Sequence, residues 1–198
     1  KVLIVEPEPK NTNDKTYCFW AEESETIVQE LKPLITKSWS NIRISNQNPV
    51  PLSPMSYWQI SSIQIYQHLQ QIIEQQPNWE RSFQSIEHIP SDDQGPYLPL
   101  ENYQARATFI FDSRNPKFLT PTGFQSHLWQ SFYGWKIKTH TPHFSVDCFH
   151  MMDFNTLQDS NTQFVYTLPY SPTEALVEIT QAEPYAPIYV RLAYTPVA

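Results

Sequence analysis

Glycine is the residue that this sequence most lacks: 3 glycines stand against 18 prolines among 198 residues, where average usage would give about 14 glycines. Phosphate-binding turns need glycine because the backbone must approach the ligand closely or adopt a positive φ. The sequence accordingly contains no glycine-rich phosphate loop and no serine-hydrolase elbow. It also starts at Lys1 rather than at methionine, and we expect it to be an internal piece of a longer chain.

Basic residues are scarce as well. Lys and Arg number 13 against 20 Asp and Glu, a net charge of −7, which argues against a nucleic-acid partner because phosphate binding needs a basic surface. No apolar run approaches the roughly 18 residues of a membrane span, and no secretory signal is present. His140 and His143 are separated by a Thr-Pro pair and have no further clustered ligands, so we expect no metal site.

Cysteine is limited to Cys18 and Cys148. Two cysteines are too few for a disulfide scaffold and fit a reducing cytosol, with a single Cys18–Cys148 bridge as the less favoured alternative. What the sequence does contain is 40% hydrophobic and 14% aromatic residues, enough to bury a core and to exclude a disordered tail.

Periodicity predicts both helices and strands. Helices are expected at 24–37, with a break near Pro33, and at 61–76, with Ser61 and Gln64 as a capping box. Strands are expected at 1–6, 42–44, 105–111, 129–139, 163–168 and 175–180, with a possible strand at 83–89, turns over 90–99 and a hairpin loop at 169–173. The order indicates a mixed fold, α/β (α+β), in which an antiparallel sheet accompanies a nucleotide-binding α/β layer.

Three polar groups are candidates for cofactor binding. Glu6 ends the first strand, where an acid can accept hydrogen bonds from ribose hydroxyls; the alternative is a solvated strand-terminal acid. Asp112 and Arg114 follow the strand predicted at 105–111 and could bind cofactor hydroxyls or pyrophosphate. The competing interpretation of Asp112 is a loop-start aspartate that caps local backbone amides.

Two acids in apolar surroundings are candidate catalysts. Strand alternation puts Leu176, Glu178 and Thr180 on one face of the 175–180 strand. If Glu178 is buried, desolvation raises its pKa and prepares it to donate a proton, whereas on a solvated face, the commoner situation for a carboxylate, it has no such role. Asp153 either joins it or is a strand-end aspartate.

Aromatic residues are concentrated in the second half of the chain, and they could line an apolar tunnel whose ring faces stabilise a carbocation. Core packing is the alternative for many of them. The candidate substrate-binding residues are Trp129, Phe132, Trp135 and Tyr166, within a wider set that adds Tyr133, Phe154 and Phe164.

Several segments together resemble the bacterial-type lycopene cyclases, the FAD-dependent enzymes of carotenoid biosynthesis. The segments that carry the resemblance are Asn-Asp-x-Thr-aromatic-Cys-Phe-Trp at 13–20, Phe-Asp-Ser-Arg at 111–114, Trp-Gln-x-Phe-x-Gly-Trp at 129–135, Met-Asp-Phe at 152–154, and Phe-Val-Tyr-x-Leu-Pro with Leu-Val-Glu-x-Thr at 164–180. They occur in the order that is typical of the family.

The resemblance implies a partial FAD-binding, Rossmann-like layer at 1–115, an antiparallel substrate-binding sheet at 116–181 and an unassigned tail at 182–198. It implies acid-catalysed, non-redox cyclisation of the linear ends of lycopene to β-rings, dependent on reduced FAD with NAD(P)H as reductant. Glu178 matches the family's catalytic acid, Glu6 matches its ribose-binding acid, and Asp112 and Arg114 fall in its cofactor-proximal block.

A carotenoid substrate implies an enzyme of the cytoplasm that associates transiently with the membrane surface. Because no glycine fingerprint precedes Lys1, we expect the isolated chain to bind FAD poorly or not at all, and to be inactive alone. Two alternatives stay open at this point: a flavin-dependent oxidoreductase or monooxygenase that acts on another apolar substrate, and a non-catalytic fragment or apolar-ligand binder.

Overall fold

The computed structural model describes residues 1–114, 128–158 and 161–183. The chain forms two compact units. The first unit comprises Lys1–Lys15 and Ser61–Leu119, and the second, which we call the sheet unit, comprises Thr16–Ile60 and Thr120–Ala198. The segments of the two units therefore alternate along the chain.

The first half of the chain alternates short strands with two helices. In chain order the elements are β1 (Val2–Glu6), β2 (Thr16–Glu22), α1 (Thr26–Leu31), a 3-10 turn (Lys32–Leu34), β3 (Ile35–Trp39), β4 (Asn41–Ile44), β5 (Val50–Pro51), β6 (Met55–Ser61), α2 (Ser62–Glu74) and β7 (Trp79–Phe83). The described part of the second half is made of strands: β8 (Ser91–Asp92), β9 (Gly95–Pro99), β10 (Gln104–Arg106), β11 (Trp129–Lys138), β12 (Cys148–Asp153), β13 (Thr162–Pro169) and β14 (Glu174–Glu183). The predicted mixed α+β class is confirmed, with more sheet than helix.

The sheet unit holds two sheets. One has the strand order β11-β14-β13-β12-β4-β5, and the other has the order β2-β6-β3. The larger sheet is antiparallel except where β12 runs parallel to β4. Each strand can bury one face because its side chains alternate between the two faces of the sheet.

The core of the sheet unit is aromatic. Trp39 of β3, Phe149 of β12 and Leu168 of β13 are fully buried and form one cluster. The indole Nε1 of Trp39 donates to the carbonyl oxygen of Pro169 at 3.0 Å, so its polar atom is satisfied inside the core. Burying side chains of this size contributes about 1.5–3 kcal/mol each to stability.

The first unit pairs β1 with β7 in parallel, from Val2 beside Trp79 to Glu6 beside Phe83. Strands β8, β9 and β10 form a separate antiparallel sheet. Helix α2 begins at Ser62, and the Ile63 amide and the Ser62 hydroxyl both donate to Asn13 Oδ1, at 3.5 and 3.2 Å. The helix start is thus capped by a residue far away in sequence.

Several sequence predictions are corrected here. The helix predicted at 24–37 ends at Leu31, because Pro33 directs the chain into a 3-10 turn and then into β3. The predicted capping box does not form: the Ser61 hydroxyl donates to the Gln64 side chain at 2.9 Å and not to a backbone amide.

The strand predicted at 105–111 is confined to Gln104–Arg106. Phe109 and Phe111, two of the apolar residues that indicated a buried strand, are 76% and 93% exposed. Asp112 therefore does not end a strand.

The predicted division at residue 115 also differs from the structure, because 16–60 belongs to the sheet unit. The cause is pairing between distant segments: β4 lies beside β12, and β2, β3 and β6 form the second sheet. No helix in the described ranges is long and apolar enough to cross a membrane.

Candidate active site

Glu178 lies on β14, between β13 and β11. It is in register with Tyr166 on β13 and with Gly134 on β11. Leu176 on the same face packs against the buried core, and Thr180 is only 3% exposed. The predicted alternation therefore agrees with the structure, and the Glu178 side chain shares the covered face of the sheet.

Burial sets the protonation of Glu178. The side chain is half-buried, and desolvation raises the pKa of its carboxyl above the ordinary value, against a smaller opposing effect of a hydrogen bond with Thr180. Desolvation disfavours the charged form of a carboxyl. The geometry therefore favours a carboxyl that keeps its proton at higher pH than an exposed glutamate does.

Two tyrosines and a cysteine form a chain of polar groups near this carboxyl. The Tyr166 hydroxyl donates to the Tyr57 hydroxyl at 2.8 Å, and Tyr57 in turn hydrogen bonds the Cys18 thiol. Burial raises the pKa of the Cys18 thiol to about 11 and also raises the pKa of both tyrosines. All three groups are neutral at physiological pH, and each interacts electrostatically with Glu178.

Aromatic rings surround these polar groups. The Tyr57 ring stacks on Phe149 with centroids 4.5 Å apart and planes 24° apart, and it lies 4.6 Å from the Trp20 ring. Phe149 also contacts Trp39 at 6.0 Å and Tyr166 at 6.3 Å. Ring faces carry negative partial charge and attract cations, so this neighbourhood suits a reaction that develops positive charge in an apolar setting.

The predicted substrate-binding aromatics divide between the two faces of the sheet. Phe132 pairs with Thr180 and Tyr166 with Glu178, so both share the face of the acid. Trp129 and Trp135 lie at odd positions of β11 and point to the opposite face. Trp135 packs there against Tyr133, with ring centroids 4.3 Å apart.

Asp153 is not brought together with Glu178. It pairs with Val165 on β13, and Val165 pairs with Ile179 on β14, so the register places Asp153 on the face opposite to Glu178. Its Oδ1 accepts hydrogen bonds from the Asn155 amide at 3.0 Å and the Asn155 side chain at 2.6 Å. This geometry is that of a strand-end aspartate that orders the following turn.

The cofactor candidates lie in the first unit. Glu6 sits at the carboxyl end of β1, and its Oε1 accepts from Arg81 Nε at 3.1 Å and Nη2 at 2.8 Å. The Arg81 guanidinium also lies 5.2 Å from the centre of the Phe83 ring. Glu6 is thus at the strand end that nucleotides approach in parallel sheets, with one carboxylate oxygen already engaged.

Asp112 and Arg114 bind each other. Arg114 Nε and Nη2 donate to the two carboxylate oxygens of Asp112 at 2.9 and 2.8 Å, and the Arg114 backbone amide donates to Oδ1 at 3.0 Å. The hydrogen bonds from the Arg114 side chain hold the pKa of Asp112 at about 2. Both side chains are exposed, which agrees with the interpretation of Asp112 as a loop residue that caps local amides.

Metal ligation finds no support in the described ranges, where no group of three or more His, Cys, Asp or Glu side chains is placed to hold an ion. The cysteines of these ranges, Cys18 and Cys148, are free thiols.

Sequence reasoning missed Tyr57 and Phe149, because neither lies in a recognisable motif. Cys18 and Gly134 lie in two of the family motifs, but nothing in the sequence indicated a role for them at the site. The register and the chain fold, not the local sequence, bring them to Glu178.

Comparison with known proteins identifies one family. The family model described as Lycopene cyclase protein matches residues 1–187. Among curated proteins, none matches the chain.

Two solved structures are similar to parts of the chain's fold. The first is pqsL, described as a probable FAD-dependent monooxygenase from Pseudomonas aeruginosa, with 11% identity and a TM-score of 0.48 over 92% of this chain and 54% of that one. The second is the halogenase PltM in complex with ethyl mercury and mercury, with 13% identity and a TM-score of 0.46 over 83% of this chain and 39% of that one. The chain therefore spans about half, or less, of the length of these structures.

Proposed function

The chain belongs to the lycopene cyclase family, and from this premise we propose that it carries the acid and the substrate-facing sheet of a lycopene β-cyclase. The reaction is the closure of the linear ends of lycopene into β-rings, with no net redox change. The enzyme is of the isomerase or intramolecular lyase type.

The observation that carries the proposal is the state of Glu178. Its carboxyl is half-buried on an apolar sheet face, and desolvation raises its pKa. Such a group can donate its proton to a terminal alkene carbon and leave a carbocation. The neighbouring double bond attacks this cation to form the ring, and loss of a ring proton restores the alkene. Charge and atoms balance, because one proton enters and one leaves.

The residues on the same face supply the environment for this cation. Phe132 and Tyr166 line the acid's face, and the Tyr57 and Phe149 rings lie behind them. A ring face contributes about 0.5–2 kcal/mol to a cation placed over it, and more as water is excluded. We assign the acid role to Glu178 alone, since Asp153 lies on the other face.

Reduced FAD, with NAD(P)H as its reductant, is the cofactor that we propose for the complete enzyme. The residues of the first unit fit its adenosine end: Glu6 has a second carboxylate oxygen, beyond the one that binds Arg81, which can accept from ribose hydroxyls. Asp112 and Arg114 are exposed and can exchange their mutual contact for cofactor groups. When bound, the reduced flavin would supply electron density near the cationic transition state.

The proposed partners follow from the substrate. Lycopene is apolar and dissolves in membranes, so we propose transient association of a cytoplasmic enzyme with a membrane surface. No metal ion and no nucleic acid takes part in this scheme.

The test is pigment production in a bacterial host that accumulates lycopene. The gene that encodes this chain is expressed there beside a Glu178→Gln copy, and carotenoids are separated and identified. We expect β-ringed carotenoids from the parent and unchanged lycopene from the variant, with equal flavin content in the two purified proteins.

Lycopene left unchanged by a flavin-loaded parent would overturn the cyclase assignment. Oxygen uptake or NAD(P)H oxidation in proportion to product would instead favour an oxidoreductase, since cyclisation consumes neither. Equal cyclisation by the parent and by Glu178→Gln would keep the reaction and remove Glu178 as its acid.

A further inference from the structure

Gly134 is a motif residue to which the proposed reaction gives no role. It lies in the middle of β11, the last strand at one side of the six-stranded sheet, directly in register with Glu178 on β14. Glycine in the interior of a strand weakens it and often marks a place where another group approaches the backbone closely. Here the group that approaches is the side chain of the proposed acid.

The space beside Gly134 is filled by Glu178. A methyl group built on Gly134 would lie 3.3 Å from Glu178 Cβ, 3.4 Å from Cγ and 3.4 Å from Oε2. The contact with Cβ is tighter than the usual separation of about 3.5–4.0 Å between carbon atoms, and those with Cγ and Oε2 lie at the short end of ordinary van der Waals contact. The side chain of Glu178 therefore lies directly beside the backbone of β11 and would be in contact with any side chain at position 134.

Glu178 has little freedom to avoid such a methyl group. Its Cβ is fixed by the backbone of β14, so the contact with Cβ can be relieved only by a shift of the strands, while rotation about the side-chain bonds can move Cγ and the carboxyl away. On its other side stands Tyr166, the register partner on β13, whose hydroxyl is held by Tyr57. A side chain at 134 would thus push the carboxyl out of its present position.

We propose that Gly134 is a positioning residue: its missing side chain lets the Glu178 carboxyl lie beside β11, the end strand of the sheet among the described residues, where a substrate end can reach it. Phe132, two residues away on the same strand face, is 41% exposed, which agrees with an open approach over this strand. The inference rests on the proposed function, because it takes Glu178 as the acid.

The first experiment is Gly134→Ala with a spectroscopic reading of Glu178. The infrared carbonyl stretch of the protonated carboxyl is assigned in the purified chain as the band that Glu178→Gln removes. We expect this band to shift in Gly134→Ala, because the carboxyl changes its surroundings. An unshifted band in a folded variant would overturn the proposal.

Gly95→Ala is the matched control. A methyl at Gly95 meets no atom within 4 Å, while its φ of +97° makes a side chain costly to the backbone. We expect Gly95→Ala to lower the Tm and to leave the Glu178 band in place. A shift of the band in both variants would mean that it reports general loosening, which would also count against a positioning role.

A double-mutant cycle covers the case in which Gly134→Ala is poorly folded. Removing the Glu178 side chain beyond Cβ, as Glu178→Ala, removes two of the three close contacts. The drop in Tm caused by Gly134→Ala should therefore be smaller in the Glu178→Ala background than in the parent. Equal drops in the two backgrounds would show that position 134 does not act through Glu178.

The last experiment measures the activity of Gly134→Ala. In the lycopene-accumulating host, Gly134→Ala should form β-ringed carotenoids at least about tenfold more slowly, because displacement of a catalytic group by about 1 Å can cost a hundredfold in rate. Full activity would overturn the positioning role. If the parent itself does not cyclise lycopene, the proposed function fails, while the band shift and the Tm cycle still decide whether Gly134 positions Glu178.

Discussion

Two acids of the first unit and one acid of the sheet unit are held in opposite ways. In the first unit, Asp14 and Asp112 accept hydrogen bonds from cationic side chains, and their pKa values fall to about 2. In the sheet unit, Glu178 lies among tyrosines and a thiol that burial keeps neutral, and its own pKa is raised. The surroundings of Asp14 and Asp112 stabilise negative charge, and those of Glu178 stabilise a bound proton. A chain with both properties fits an enzyme that separates cofactor binding from proton transfer.

The largest expected effect tests whether proton donation belongs to the covered sheet face. Glu178→Gln should lower the cyclisation rate by about 10²–10⁴-fold, the usual contribution of a general acid. Asp153→Asn should lower it less than about threefold, since Asp153 lies on the other face and holds a turn. Product formation per cell, normalised to protein level, measures both. A comparable loss in the two variants would contradict the difference between the faces.

The next effect concerns the neutral hydroxyl pair of the sheet unit. Tyr57→Phe removes the acceptor of the Tyr166 hydroxyl and a partner of Cys18. Leaving a partly buried donor without its partner should lower the free energy of unfolding by about 1–2 kcal/mol. Urea denaturation measures it, with Tyr103→Phe, a half-exposed tyrosine of the first unit, as the control that should change stability little.

The dependence of stability on pH should have opposite signs for the two kinds of acid. Asp14 is opposed by burial but is stabilised in its charged form by hydrogen bonds from Lys15, Tyr66 and Ser62, so its pKa drops from 3.8 to about 2. Its stabilisation is present above pH 3.8 and is lost as the pH falls through about 2. Because the side chain is 39% exposed, solvent screening limits the effect to about 1 kcal/mol.

For Glu178 the dependence of stability on pH has the opposite sign. Its pKa in the folded chain is above the ordinary value of 4.5. The contribution of the protonated carboxyl to the free energy of unfolding is therefore complete below pH 4.5 and is lost as the pH rises through the raised pKa. Urea unfolding over a pH series should show Asp14→Asn flattening the acid limb and Glu178→Gln flattening the limb above pH 4.5. If both variants flatten the same limb, the expected difference in sign between Asp14 and Glu178 is wrong.

The smallest effect is expected at the exposed pair. Asp112→Asn weakens the contact with Arg114, but both side chains are open to solvent, and exposed ion pairs contribute little to stability. We expect no measurable change in Tm for the chain alone. A weaker flavin affinity of the complete enzyme at unchanged Tm would support the cofactor role of Asp112, and unchanged affinity would remove it.

Strands that carry their own apolar pattern could be predicted from the sequence. Val2–Glu6, Trp129–Lys138 and the hairpin of β13 and β14 were expected within a few residues of their observed ends. Strand β2 was not predicted, because its residues were interpreted only as part of a family motif and because its partner β6 is distant in sequence. Strand β12 was missed because its partners are β4 and β13, one of which is distant in sequence.

The face of Glu178 could be predicted from the sequence, but its burial could not. Alternation along β14 fixed which residues accompany it, whereas Tyr57 and Cys18, two neutral groups that interact with it, come from β6 and β2, more than 100 residues earlier. The Asn13-Asp14 pair teaches the same point. The pair belongs to a family motif, and in the structure it accepts hydrogen bonds at the start of helix α2. A structural role can therefore account for that part of the motif.

The segment Ser61–Leu119 of the first unit separates the two segments of the sheet unit in sequence, which has a consequence for folding during synthesis. Trp39 must find the Pro169 carbonyl 130 residues later, and β4 must wait for β12 before the larger sheet can close. Contacts of such long range delay folding, because the loop entropy is lost before the contact forms. During synthesis the first unit and the sheet of β2, β6 and β3 can therefore form while β4 still lacks β12. The site around Glu178 is completed only when β14 leaves the ribosome.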